Sequence, residues 1–236
     1  MKRKARPRLY IEETPKLKPD LPFMNTQTVH IHNQNFVLHP SGVLFWEERK
    51  MLLIADVHFG KISHFRKHGS AVPHAAIQEN FDQLHAVIHK FNPDSICFLG
   101  DLFHSYMNNE WLLFEQWVAS ISAKIILVAG NHDIISPMKY EALEVTVCSE
   151  LLIDNFLLSH HPENREGLYN FCGHIHPGCI LNGIGKQRLR LPCFYQAKDQ
   201  MILPAFGTFT GTHPMEPLQD VKIYAITKNE VILVHF

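Results

Sequence analysis

The sequence lacks the marks of a secreted or membrane-bound chain. It has no Cys-x-x-Cys pair: its five cysteines, Cys97, Cys148, Cys172, Cys179 and Cys193, stand apart, several of them in apolar, strand-like runs. An odd count in such settings excludes a simple disulfide framework and points to reduced thiols in a cytoplasmic protein. No apolar run approaches the roughly 18 residues that a membrane span needs, so no membrane association is expected. The N-terminus is basic but no apolar stretch follows it, so no secretory signal is expected. Internal repeats are absent. Net charge is almost absent as well, 22 Lys and Arg against 23 Asp and Glu.

That near-neutrality hides an asymmetry. Residues 1–20 carry seven cations and three acids, a balance of +4, which leaves −5 for the remainder. A basic tail on an acidic body fits a polyanion partner, although a solvated arm with no partner is the plainer reading. With Pro7, Pro15, Pro19 and Pro22 among the charges, residues 1–24 read as a poorly ordered arm and 25–236 as a single domain. What the chain has in excess is histidine, 17 in all.

The pattern along the chain is β, then βαβαβ, then β. Short strands are expected at Thr28–Ile31, Asn35–Leu38, Val43–Trp46 and Met51–Ala55, the last two joined by the polar turn Glu47-Glu48-Arg49-Lys50. Ile77, Phe81, Leu84, Ile88 and Phe91 recur at helical steps between about His74 and Phe91. A second helix is expected at Asn109–Ser120, with Trp111, Phe114 and Val118 inward, and a short one near Tyr140. Further strands are expected at Ser95–Leu99, Lys124–Ala129, Phe156–Ser159, Tyr169–Cys172, Arg188–Tyr195, Met201–Leu203, Val221–Thr227 and Val231–His235. Such an order suits two packed sheets flanked by helices, a four-layer α-β-β-α sandwich.

Five of the expected strand ends carry polar residues: Asp56 and His58; Asp101; Asn131, His132 and Asp133; His160; His174 and His176. Asp-x-His and His-x-His place two side chains on one side of an extended segment, because strand side chains alternate. Each piece alone has a bland explanation: a turn or cap for Asp56-x-His58, a positive-φ loop for Gly130-Asn131, a backbone-bonded core histidine for His160. All five together, each after an apolar strand, read as a metal site. Carboxylate, imidazole and amide oxygen suit Mn²⁺, with Fe or Zn²⁺ as alternatives, rather than Mg²⁺ alone or a thiolate site. The candidates outnumber what one ion needs, so two are expected, and Asp101 is the central carboxylate.

The series Asp56-x-His58, Gly100-Asp101, Gly130-Asn131-His132-Asp133, His160 and Gly173-His174-x-His176 resembles the motif set of the calcineurin-like metallophosphoesterases. The resemblance implies a four-layer sandwich that hydrolyses phosphoesters. It implies that Asp56, His58, Asp101 and His176 hold one ion and that Asp101, Asn131, His160 and His174 hold the other. It implies that His132 faces the substrate phosphate and that Asp133 orients it. Whether His160 or the adjacent His161 is the ligand stays open at this level. His104 stands where the wider superfamily often has an acid.

Gly60-Lys61 through His64-Phe65-Arg66, Gly100-Asp101-Leu102-Phe103-His104-Ser105, Gln187–Phe194 and Leu203–Gly211 are similar to a narrower group, the bacterial ligase-associated DNA damage response endonucleases (PdeM). That likeness implies a phosphodiesterase of nucleic acid in DNA repair, with ligase, helicase or exonuclease partners. The alternatives are a phosphodiesterase or pyrophosphatase of a small nucleotide, and a non-catalytic protein-binding module on the same fold. Candidate substrate contacts are His104, Lys61, His64, Arg66, Arg188 and Arg190, against a plainer reading as solvated basic segments. Phe65, Phe206 and Phe209 are more often core than base-stacking residues.

Overall fold

The computed structural model describes residues 24–61, 75–104, 106–208 and 210–235. The expected arm up to residue 23, the candidate contacts His64 and Arg66, and Phe65 and Phe209 lie outside the described residues.

Seven strands form the first sheet in sequence order: β1 (Gln27–Ile31), β2 (Gln34–Leu38), β3 (Leu44–Trp46), β4 (Met51–Ile54), β5 (Ser95–Leu99), β6 (Lys124–Val128) and β7 (Thr146–Cys148). β1 to β4 pair antiparallel through short turns. β4 to β7 pair parallel, as connections through helices require. The crossovers include α1 (Ala75–Phe91), α2 (Asn109–Ala119) and α3 (Pro137–Glu141).

The rest of the chain builds the second sheet from β8 (Leu151–Ile153), β9 (Phe156–Leu158), β10 (Tyr169–Cys172), β11 (Pro177–Asn182), β12 (Arg188–Gln196), β13 (Gln200–Ile202), β14 (His213–Pro214), β15 (Lys222–Ile226) and β16 (Val231–Val234). Its order is β14-β11-β12-β13-β10-β9-β8, with β15 on β12 and β16 on β15. The mixed α/β fold with two packed sheets is as expected.

Strand periodicity divides the core into layers. Leu52, Ile54, Ile96, Phe98, Ile125 and Leu127 pack against the helices, meeting Ile77, Phe81, Leu84 and Val87 of α1 and Trp111, Phe114 and Trp117 of α2. Their neighbours Leu53, Cys97, Leu99 and Val128 face the other way and meet Phe156, Leu158, Phe171, Phe194 and Met201 between the sheets. Asn108 caps α2, its side chain accepting from Glu110 N–H at 2.7 Å. The buried face of α2 includes Trp117, while Val118 is only partly covered. On the outer face of the second sheet Cys172, Cys179, Cys193, Tyr195 and Ile202 form a smaller cluster, packed with Met215 and Val221 of the following loop; no α-helix covers it among the described residues.

Candidate metal centre

The parallel strands β4, β5 and β6 and the second-sheet strands β9 and β10 all end at the same edge, and the polar residues follow those ends. Asp56 and His58 follow β4, Asp101 follows β5, Asn131 to Asp133 follow β6, His160 follows β9, and His174 and His176 follow β10. The convergence of the side chains is not a strand effect. Asp56 and His58 lie past the end of β4 with φ of 54° and 52°, Asp101 has 50°, and His174 and His176 have 68° and 52°. All five adopt the left-handed region, which costs a non-glycine residue about 1–2 kcal/mol. Each chain segment curls at its strand end and turns its side chain toward a common point. Strain of this kind gathers at functional sites.

Two clusters result. His176 Nε2 lies 3.2 Å from His58 Nε2 and 3.3 Å from Asp56 Oδ1. On the other side His160 Nε2 lies 3.0 Å from Asn131 Oδ1, 3.3 Å from Asp101 Oδ1 and 3.2 Å from His174 Nδ1. Asp101 joins them, its Oδ2 standing 3.8 Å from His58 Nε2. The ligand-type atoms of Asp56, His58 and His176, and those of Asp56, Asp101 and His160, lie within 4.8 Å of one another. His160, His161 and His174 form a third such group.

The electrostatics fit cations. Asp56, His58, Asp101 and His160 are all buried, and among the described residues Asp56 Oδ1 and His58 Nδ1 have no hydrogen-bond partner. Burial, with the charge of Lys61 next, drives the His58 pKa down to about 2, so the ring is neutral. Burial also lowers His174. Neutral imidazole is the form that ligates a metal. Lone pairs facing lone pairs at about 3 Å repel unless a proton or a metal ion lies between them.

Neighbouring backbone groups and two glycines fix the ligands. His160 Nδ1 lies 3.0 Å from the Leu99 carbonyl, so this nitrogen carries the proton and Nε2 presents its lone pair. Gly100 makes that approach possible: at φ 82°, a Cβ there would fall 2.1 Å from His160 Nδ1. Gly173 does the same for Asp56, since a Cβ would sit 2.5 Å from its Oδ2. The His174 N–H donates to that oxygen at 2.9 Å, and the His132 N–H donates to Asp101 Oδ1 at 2.9 Å.

Among the expected substrate-side residues, His132 stands at the rim with its ring centroid 5.8 Å from that of His58. The His104 ring lies tilted against it, centroids 4.7 Å apart. Asp133 does not hold the His132 ring. Its carboxylate accepts from Gly130 N–H at 2.8 Å and Phe103 N–H at 3.1 Å, fastening the His132 loop to the His104 loop. Burial outweighs those two bonds and raises the Asp133 pKa to about 6. Lys61 is half-buried; burial lowers its pKa while the charges of Asp56 and Asp101 oppose that fall. Arg188 and Arg190 are exposed on β12, away from the two clusters. His161 is exposed beside His174, ring centroids 4.1 Å apart.

Some supports escaped sequence reasoning. Glu110 is buried and accepts from Gly60 N–H at 2.7 Å, tying the loop after His58 to α2. Asn170, also buried, donates to Ser159 Oγ at 2.8 Å and accepts from Glu163 N–H at 2.9 Å, shaping the loop that carries His160. An acid in the first turn of a helix was the available signal for Glu110; Asn170, inside a strand, gave none.

Buried carboxylates and neutral imidazoles that face chiefly one another define a metal-dependent enzyme. The chain belongs to the calcineurin-like phosphoesterases, whose family model matches residues 49–197, more than half of its length. It is therefore a hydrolase of phosphoesters, with the His and Asp clusters typical of that family's dinuclear centres. Among solved structures, a nuclease of Pseudomonas putida, MPE, is 27% identical with a TM-score of 0.77, over 89% of this chain and 100% of that one. A protein of unknown function from Aquifex aeolicus is 19% identical (TM-score 0.41, 58% of this chain and 82% of that one). The phosphoesterase YfcE of E. coli is 12% identical (TM-score 0.39, 78% and 97%). No curated protein matches the sequence.

Proposed function

We propose that the protein is a dinuclear, Mn²⁺-dependent phosphodiesterase that cleaves nucleic acid in DNA repair, within the ligase-associated DNA damage response endonuclease (PdeM) group. The observation that carries this reading is the position of Asp101 between two clusters, 3.3 Å from His160 Nε2 through one oxygen and 3.8 Å from His58 Nε2 through the other. Asp56, His58, Asp101 and His176 would hold one ion, and Asp101, Asn131, His160 and His174 the other. The likeness to a nuclease along that protein's whole length supports a nucleic-acid substrate. Contacts with a ligase, helicase or exonuclease belong to the same proposal, on sequence likeness.

Bound there, the two ions supply Lewis acidity and a water of lowered pKa. The chain's own residues do the rest. His132 carries an imidazole at the rim while its backbone is fixed to Asp101. A protonated His132 donates to a phosphoryl oxygen, or gives its proton to the departing alkoxide, which is a poor leaving group without one. His104, tilted against that ring, limits how far it can turn. The Lys61 ammonium adds positive charge beside the carboxylates.

The test is an activity panel of DNA, RNA, cyclic nucleotides, pyrophosphates and a model diester, with Mn²⁺ supplied. Turnover of DNA and the model diester, abolished by chelation and restored by Mn²⁺, is expected. Turnover confined to cyclic nucleotides or pyrophosphates would replace this reading with the small-nucleotide one.

A further inference from the structure

β11 begins one residue after His176 and does not fold back under the site. β13 runs parallel to β10, β12 antiparallel to β13, and β11 antiparallel to β12. β11 therefore continues in the direction of β10, beyond the strand ends where the ligands gather, and β12 returns from there. Cys172, the last residue of β10, is level with Ile202 and through it with Tyr195. Arg190 and Arg188 lie five and seven residues further out along β12. At about 3.3 Å per residue they reach up to roughly 17 and 23 Å past the end of β10.

The register also fixes the face they occupy. Cys193 and Leu191, with Cys179 and Leu181 opposite, belong to the outer cluster of the second sheet. Phe194 belongs to the core between the sheets. Arg190 and Arg188 alternate with Leu191 and Leu189 and so share the face of Phe194, the face turned toward the first sheet. Lys186 sits at the turn. Between Pro177 and Ala197 there are three cations and no acid, on a chain whose net charge is −1. Residues 183–190 are all exposed, and Ile184 at the tip is 96% exposed. A two-stranded arm of this length, exposed and of one sign, is not explained by packing.

We infer that the β11–β12 hairpin is a phosphate-binding arm: Lys186, Arg188 and Arg190 hold the backbone of a nucleic acid several nucleotides from the scissile phosphate. At about 3.4 Å per phosphate along a strand, the arm's reach corresponds to roughly five to seven phosphates. This deepens the proposed function and rests on its nucleic-acid reading. The contacts are ionic and independent of sequence, so they act on association more than on the chemical step.

The experiment compares the metal-loaded wild type with a triple variant, Lys186→Ala/Arg188→Ala/Arg190→Ala, at exposed positions. For each, log(kcat/KM) is plotted against log salt concentration, once on a 20-nucleotide oligonucleotide and once on bis-p-nitrophenyl phosphate. The wild type is expected to show a steep negative slope on the oligonucleotide. The triple variant should lose about two to three units of that slope, near 0.7–0.9 per phosphate contact. Its ratio of oligonucleotide to diester activity should fall at low salt. Arg188→Lys/Arg190→Lys should restore most of the slope, because a point charge suffices. An unchanged slope in the triple variant beside a steep wild-type slope overturns the arm while leaving the nuclease reading intact. A wild type that turns over the diester but not the oligonucleotide overturns that reading, and the arm with it.

Discussion

Replacing Gly100 by alanine tests whether the metal centre depends on a missing Cβ. Two costs are separable. The first is conformational: Gly100 has φ of 82°, which for alanine costs about 1–2 kcal/mol. The second is steric: the new Cβ would lie 2.1 Å from His160 Nδ1 and 2.4 Å from its Cγ. The ring must move, which breaks its bond to the Leu99 carbonyl, worth about 1 kcal/mol, and overpacks a buried site at about 1–3 kcal/mol. Together these predict a loss of about 3–6 kcal/mol. Gly167 is the control, since its φ is 77° but a Cβ there would meet nothing within 4 Å among the described residues. Gly167→Ala should cost only the conformational term. Urea denaturation in the presence of chelator measures both without contribution from bound metal. Elemental analysis after equilibration with Mn²⁺ should find the second ion depleted in Gly100→Ala alone. Adding His160→Ala to Gly100→Ala should recover part of the stability, because the two closest clashing atoms, Nδ1 and Cγ, are gone and only the His160 Cβ, at 2.8 Å, remains. If Gly100→Ala is no more damaging than Gly167→Ala and keeps both ions, the account of how His160 is aimed is wrong.

Other perturbations separate the roles within the site and outside it. Asp101→Asn removes the shared carboxylate and should lower metal occupancy, read by elemental analysis; full occupancy of both positions would count against a bridging role. His132→Ala should spare metal content and lower kcat on a model diester by about 10²–10⁴-fold, the range for a lost proton donor; wild-type turnover would remove it from the mechanism. His39, which is not among the candidate ligands, gives a pH signature in stability. Burial, with the Lys90 charge next, lowers its pKa to about 4, so the folded protein holds it neutral. Its stabilising contribution is whole above about pH 6.5, the unfolded pKa, and is lost as pH falls toward 4, up to about 3 kcal/mol. His39 Nδ1 accepts from Ser41 N–H at 3.2 Å, a role asparagine can fill, so His39→Asn should flatten the stability curve between pH 6.5 and 4. An unchanged slope in chemical denaturation across that range would disprove the assignment.

Much of the fold was legible because burial imposes a period. β1 to β6 and α1 and α2 lie within two residues of their expected bounds, since each must turn an alternating or helical apolar face to a layer. β7, β8 and β14 are two or three residues long, too short to show a period. β11 was hidden for another reason: it begins with Pro177 and Gly178, turn residues that are tolerated here because Gly178 packs against Thr212, where a Cβ would fall 2.7 Å from the threonine Cβ. Missing β11 meant missing that Arg188 and Arg190 stand on a projecting hairpin rather than at the rim of the ligand cluster.

At the site, residue type and order were legible, and orientation was not. Carboxylates and histidines after apolar strands point to metal chemistry whatever the backbone does. The mechanism of convergence could not be read, because alternation along a strand and a left-handed curl beyond it leave the same Asp-x-His in the sequence. Asp133 shows the consequence. Its identity fits a carboxylate that orients a catalytic histidine, yet both of its oxygens are taken by backbone N–H groups, one from the His132 loop and one from Phe103. The carboxylate therefore works on two loops at once, and the histidines on those loops, His132 and His104, lie with ring centroids 4.7 Å apart. One carboxylate can thus set the spacing of both histidines, one of them the proposed proton donor, without contacting either ring. No sequence motif separates that task from direct contact, because the difference lies in which way one carboxylate points.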